Sequence, residues 1–232
     1  MERVALLVIA KEPLPGRAKT RLTPPYSPAE AARIAQAALL DTLDVVERTP
    51  ADRKVLVFEG DPARWRRDGF EVIRQRGHGL AERLAAAFED VGEPALLVGM
   101  DTPQLTTELL LDGIHALRSP GVDAVLGPAL DGGYWSVGLS VPVRDAFAGV
   151  PMSCHSTLIR QRARLRELGL RVHEQPILRD VDTIEDALAV AGEAPDSRFA
   201  AALASIRPRG QGRPAPRTPS PATDRAPVRT SA

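Results

Sequence analysis

Four cationic side chains crowd one short loop. Lys11, Arg17, Lys19 and Arg21 all fall in the run A-K-E-P-L-P-G-R-A-K-T-R-L that begins at Ala10. Positive charge this dense suits an anionic ligand, phosphate above all. Gly16 permits a positive φ or a close backbone approach. Pro13 and Pro15 stiffen the loop and so lower the entropy lost on binding. Lys19 and Arg21 can reach opposite sides of a phosphate chain. The spacing is not that of a P-loop, G-x-x-x-x-G-K-[ST], and a solvated surface loop is the competing reading.

Carboxylates recur at three further places. Asp101 lies in G-M-D-T-P, directly after the apolar residues 95–98. An acid at the end of a strand beside a phosphate loop is a natural Mg²⁺ ligand, because Mg²⁺ takes one or two hard oxygens from protein and the rest from phosphate and water. The alternative is a helix cap, which Thr102-Pro103 makes credible. Asp180 and Asp182, in D-V-D-T-I-E-D, point the same way in an extended chain. Two carboxylates so placed need a cation or hydrogen bonds to offset them. Alternatively Asp182 or Thr183 caps the next helix, with Asp186 in its first turn; a capping acid can also bind metal. Asp131 sits in G-P-A-L-D-G-G-Y-W over 127–135. Asp-Gly-Gly reads as a hairpin turn, and the acid, both glycines and both aromatics can also line an acceptor pocket.

The remaining polar candidates carry less. His155, at the start of a helix, reads as a polar cap or an acceptor contact. The four histidines lack metal-ligand spacing. Cys154 is the single cysteine, which excludes an internal disulfide and gives no support to a Cys-based metal site. Arginines 160, 162, 164 and 166 read as a solvated helix face.

These groups need elements to hold them. Apolar runs predict strands over 4–10, 54–58, 70–74, 95–99, 124–127 and 134–139, with a seventh candidate over 170–175. Helical periodicity runs from Pro28, with Ser27 as N-cap and the stripe Ile34, Ala38, Leu39, Leu43, Val46. Further helices are predicted over 80–91, 105–117, 156–168 and 183–191. Strands alternating with helices predict an α/β fold with a mostly parallel sheet covered on both faces. The link 128–133 is too brief for a crossover, so strands 124–127 and 134–139 should be antiparallel and the sheet mixed. Strand ends in such sheets are where ligands bind.

The chain has 232 residues, 44% of them hydrophobic, which is enough for one full core. Its formal charge is zero but unevenly spread. Residues 207–232 hold six arginines against Asp224 alone, and six prolines with almost no large apolar side chain. That composition predicts a disordered Pro/Arg-rich tail after a single domain over 1–206. The body is left net acidic, without the clustered basic face that nucleic-acid binding needs. The first apolar run is too short to span a membrane and lacks a signal peptide's layout. The expectation is a cytoplasmic protein with neither nucleic-acid nor membrane partners; a homodimer is left open.

Taken in order, K-x-P-x-P-G-x-x-K-T-R-L, G-x-D-x-P-x-L, G-P-A-x-D-G-G-Y-W and D-V-D-T-x-E-D-A-L resemble the DUF2064 family over roughly residues 3–191. Its members are often called rSAM/selenodomain-associated transferase 1. They belong to the nucleotide-diphospho-sugar transferase (GT-A) superfamily. K-T-R-L is also similar to a segment of 2-phospholactate guanylyltransferase, and D-T-x-E-D to the end of molybdenum-cofactor guanylyltransferase. The resemblance implies a single Rossmann-like GT-A domain. It implies that Lys11, Gly16, Lys19 and Arg21 hold nucleotide phosphates, that Asp101 and Asp182 hold Mg²⁺ (or Mn²⁺), and that Asp131, Gly132 and Gly133 face a small-molecule acceptor. Gln75 and the segment Gly79-Leu80-Ala81-Glu82-Arg83 match the family's nucleoside region.

The expected activity is therefore a metal-dependent transferase, with Lys19, Arg21, Asp101 and Asp131 as its catalytic groups. Nucleotidyl transfer from a nucleoside triphosphate to a phosphorylated small molecule is preferred over glycosyl transfer from a nucleotide sugar. The basic loop suits a triphosphate, and Asp101 stands alone where glycosyltransferases typically carry a paired D-x-D. A non-catalytic nucleotide-binding protein is the reading from a different class.

Overall fold

The computed structural model describes residues 3–206, so the predicted tail 207–232 lies outside the described residues. Seven strands form one sheet: β1 (Ala5–Lys11), β2 (Arg53–Glu59), β3 (Glu71–Arg74), β4 (Ala95–Val98), β5 (Ala124–Pro128), β6 (Tyr134–Leu139) and β7 (Val172–Glu174). Their order is β3-β2-β1-β4-β6-β5-β7. Neighbours are parallel except at β6, which runs antiparallel to both β4 and β5. The fold is thus the mixed, mostly parallel α/β sheet that the sequence predicts. The short 128–133 link forces β6 back beside β5, and β6 slots in against β4, with Leu139 opposite both Ala95 and Ala124.

Side-chain alternation divides each strand between two cores. On one face Leu6, Val8, Leu56, Phe58, Leu96 and Val98 pack with Leu39 and Leu43 of α1 (Pro28–Arg48) and Ile114 and Leu117 of α3 (Thr107–Arg118). On the other, Leu7, Val55, Leu97 and Leu126 meet Leu84 and Phe88 of α2 (Leu80–Val91), Leu165 of α4 (Thr157–Glu167) and Phe147 of a 3-10 turn. Coverage on both faces explains why the strands read as near-continuous apolar runs rather than as alternating ones.

The first helix is apolar on two sides. Ser27 starts it with a capping box: Ser27 Oγ accepts from Glu30 N, and Glu30 Oε2 accepts from Ser27 N at 2.7 Å, with Pro28 at the first helical position. Its outer side, Ala31, Ile34 and Ala38, buries against α5 (Ile184–Glu193) and α6 (Arg198–Ser205) through Val190, Phe199 and Leu203. This third layer, and α6 in particular, was not predicted. Asp41 of α1 pins it by accepting from Arg198 N at 3.1 Å and Phe199 N at 2.8 Å. The same apolar layer contains Leu22 and Val181, which lie next to the candidate site residues. No described helix is long and apolar enough to cross a membrane.

Candidate active site

Strand order reverses between β1 and β4, and a cleft of about 830 Å³ opens at their C-terminal ends, the usual ligand position in such a sheet. Lys11, Lys19, Arg21, Gln75, Leu80, Asp101, Asp131 and Asp182 all line it. Gly16 does not. It has a positive φ of 74°, and a Cβ there would meet nothing within 4 Å, so it shapes the loop from outside the cleft.

The cationic loop is anchored at both ends of its working part. Ala18 is buried, and the 3-10 turn Thr20–Leu22 sinks Leu22 into the third layer. Between them Lys19 adopts the left-handed region, φ 49°. Its side chain is only 6% exposed. Nζ lies 2.8 Å from Asp101 Oδ1 and donates to the Val181 carbonyl. Val181 N in turn donates to the Asp101 carbonyl at 3.1 Å, so the end of β4 and the segment before α5 form one wall. Arg21 Nη1 reaches Asp182 Oδ2 at 2.5 Å, from a far more exposed position.

Asp180 stands apart from these pairs. Its Oδ1 is buried without a hydrogen-bond partner. Burial, reinforced by the charges of Asp101 and Asp131 and opposed by Lys19, pushes its pKa up to about 7. Thr102, 1% exposed and also lining the cleft, has an unpartnered Oγ1. Neither candidate acid caps a helix. Thr106 caps α3, and Thr183 caps α5 in a capping box with Asp186. Both Asp101 and Asp182 therefore keep their carboxylates for the cleft.

At the nucleoside end Gln75 is engaged internally. Its Nε2 donates to the Ala10 and Val57 carbonyls at 2.8 and 3.1 Å, and its Oε1 accepts from Arg83 at 3.2 Å. Through these bonds it ties β1 and β2 together at the floor of the cleft. Arg83 also contacts Glu59, and both line the cleft. Leu80, the first residue of α2, is 41% exposed there.

At the opposite end Asp131 holds the β5–β6 turn. Its Oδ1 accepts from Gly133 N at 2.7 Å. Gly132 has φ 88°, and a Cβ would sit 2.1 Å from the His155 carbonyl oxygen, so only glycine fits. His155 precedes the N-cap Ser156 of α4 and lines the cleft beside Tyr134 and Cys154. Burial raises the pKa of the Tyr134 hydroxyl, which stays protonated near neutrality. Hydrogen bonds from Ser156 and then Thr157 lower that of the Cys154 thiol. Arg83, in the segment that matches the family's nucleoside region, lines the cleft, whereas sequence reasoning does not place Glu59 or Thr102 there and treats Asp180 only as a partner of Asp182. The D-x-D spacing was the available signal for Asp180; nothing comparable marked the others.

A switch-point cleft with cations from the first loop facing acids after β4 and before α5 defines an α/β domain of the nucleotide-diphospho-sugar transferase fold. A protein from Desulfovibrio desulfuricans G20, provisionally described as a nucleotide-diphospho-sugar transferase, is 26% identical, with a TM-score of 0.78 over 88% of this chain and 95% of that one. The same fold appears in 4-diphosphocytidyl-2C-methyl-D-erythritol synthase from Anaerococcus prevotii DSM 20548, at 13% identity and TM-score 0.54 over 84% and 96% of the two chains. It also appears in CMP:2-keto-3-deoxy-manno-octonic acid synthetase complexed with CTP, at 12% identity and TM-score 0.52 over 84% and 99%. No curated protein matches the sequence. The chain belongs to the DUF2064 family, described as "Uncharacterized protein conserved in bacteria", which matches residues 34–154.

Proposed function

We propose that this protein is a nucleotide-dependent transferase that moves a nucleotidyl group from a nucleoside triphosphate to a phosphorylated small molecule. The observation that carries the reading is the wall on which Lys19 joins Asp101 to the 181 carbonyl, with Asp180 and Asp182 on either side of Val181. Cations and carboxylates packed this closely suit a bound phosphate chain with its counter-ion, and surface solubility does not require them. The Desulfovibrio relative supports a nucleotide-linked donor.

The donor set fits a divalent cation. Asp101, Asp180 and Asp182 are hard oxygen ligands, and the orphaned Asp180 Oδ1 lacks a partner that such an ion would supply. Among the described residues no three His, Cys, Asp or Glu are grouped so that they could together hold a metal ion, so no more than two of these carboxylates would bind it at once. Mg²⁺ bound by one or two of them would complete its shell with phosphate and water. When bound, Mg²⁺ would neutralise charge on the transferring phosphate. Lys19 and Arg21 bind and orient the phosphate chain. An acceptor phosphate oxygen, held near Asp131, attacks the α-phosphorus; the bond to the β-phosphate oxygen breaks and pyrophosphate leaves. Catalysis here is positioning and charge neutralisation, with no covalent residue.

Glycosyl transfer is the second reading, favoured by the description of the Desulfovibrio relative. Incubating the protein with each nucleoside triphosphate and a panel of phosphorylated metabolites should yield pyrophosphate. Release of nucleoside diphosphate from a nucleotide sugar, without pyrophosphate, would establish the second reading instead. Asp101→Ala should abolish the Mg²⁺ dependence of nucleotide affinity in calorimetry; unchanged affinity would remove the cation from Asp101.

A further inference from the structure

We propose that Lys19 is a resident counter-ion: in the free protein its ammonium holds the place of the divalent cation, and it passes to the phosphates when metal and nucleotide enter together. This rests on the reading of the cleft given above and adds an order of events to it.

Three observations carry the inference. First, Lys19 Nζ contacts the kinds of oxygen a cation would use, the Asp101 carboxylate at 2.8 Å and the Val181 main-chain carbonyl. Second, the ammonium is almost fully removed from water, with the side chain 6% exposed, although phosphate capture from solution would favour an exposed lysine. A strongly hydrated ammonium accepts such burial only where anions replace its water. Here Asp101, Asp131, Asp180 and Asp182 all line the same cleft, and Arg21 is committed to Asp182. Third, the root of the residue is fixed by packing, whereas its end is held by polar contacts that other anions could replace. Ala18 and Leu22 are buried on either side, so the four-carbon stem is the part able to move.

An ammonium and a divalent ion on the same Asp101 oxygen repel each other strongly at that distance. Lys19 therefore opposes metal binding to the free protein. A polyphosphate removes the opposition, since it gives the displaced ammonium a new anionic partner. Metal and polyphosphate then strengthen each other's binding, equally in both directions.

The test is a Mn²⁺ titration of the full chain by calorimetry, without nucleotide, on the wild type, Lys19→Met and Asp101→Asn. Lys19→Met should bind Mn²⁺ more tightly than wild type by about tenfold or more, the scale of a lost charge-assisted contact. It should also lose most of the mutual strengthening between Mn²⁺ and tripolyphosphate. Unchanged or weaker Mn²⁺ binding by Lys19→Met, with Asp101→Asn weakened, overturns the exchange and leaves the cation site standing. Binding that ignores both substitutions, or no binding by any of the three, removes the cation site and the exchange with it. Should Lys19→Met not fold, the wild type still decides. The chain has only three lysines, Lys11, Lys19 and Lys54. Nitrogen-15 labelling should therefore show one ammonium signal protected from water in the free protein, and that signal should shift when Mg²⁺ and tripolyphosphate are added together. An unmoved signal overturns the exchange.

Discussion

Replacing Asp180 by Asn should stabilise the metal-free protein by an amount that grows with pH. The carboxyl is buried and crowded by Asp101 and Asp131, which holds its pKa at about 7 in the folded state against 3.8 in an ordinary setting. Between those two values the folded state binds the proton that the unfolded chain has released. Stability therefore falls as pH rises through the window, and the loss is complete above the folded value. The full difference corresponds to about 4 kcal/mol near pH 8. A cleft open to solvent on one side screens part of this, so a gain of about 2 kcal/mol is the working expectation. Asn keeps the shape and cannot ionise, so its advantage should shrink to under about 1 kcal/mol near pH 4. Urea unfolding of both proteins in chelator, at several pH values, measures the gap directly. A gap of the same size at both ends of the range, or an Asn variant less stable at high pH, would refute the electrostatic account of this wall.

Three further outcomes follow from the geometry. Phe199→Ala should cost about 3–5 kcal/mol in urea unfolding, because the ring is fully buried between α6 and α1. Gly132→Ala should cost more than about 2 kcal/mol by the same assay, since the new methyl combines a left-handed backbone with a clash against the fixed His155 carbonyl. Asp123 has its pKa lowered by the Arg171 side chain and then by the Arg171 backbone N–H. Its stabilising contribution is therefore present above the ordinary carboxylate range and is lost as pH falls through the lowered value. Asp123→Asn should flatten the acid limb of the stability curve below about pH 4 and leave the neutral region's slope unchanged.

Local chemistry made most of the scaffold legible. The strand runs were readable because both faces of the sheet are covered, so that Leu6, Leu7 and Val8 are all apolar. The β5–β6 hairpin followed from the length of the 128–133 link alone. Ser27 with Pro28 marked the start of α1, and both occupy those positions. What could not be read was long-range pairing. Lys19 with Val181, and Arg21 with Asp182, meet across more than 160 residues, and no local pattern announces such partners. Asp180 and Asp182 look equivalent in D-V-D, yet the fold pairs one with a guanidinium and leaves the other with a buried oxygen that has no partner. Gln75 lines the cleft as well as joining two strands through its amide, a structural role visible only once β1 and β2 are side by side. The alanine-rich α6 gave too weak a stripe to be noticed until Asp41 and α1 supplied the surface it covers.

The same long separations have a kinetic consequence. A nascent chain that has emerged only as far as residue 177 would already contain all seven strands of the sheet, but none of the acidic segment that meets Lys19 and Arg21. Joining residues that far apart in sequence has to wait until the chain beyond residue 177 has been made. During translation the molecule therefore acquires all of its strands before it can acquire competence, and ligand binding by stalled chains of increasing length should switch on abruptly once residues 180–182 are free to fold, instead of building gradually.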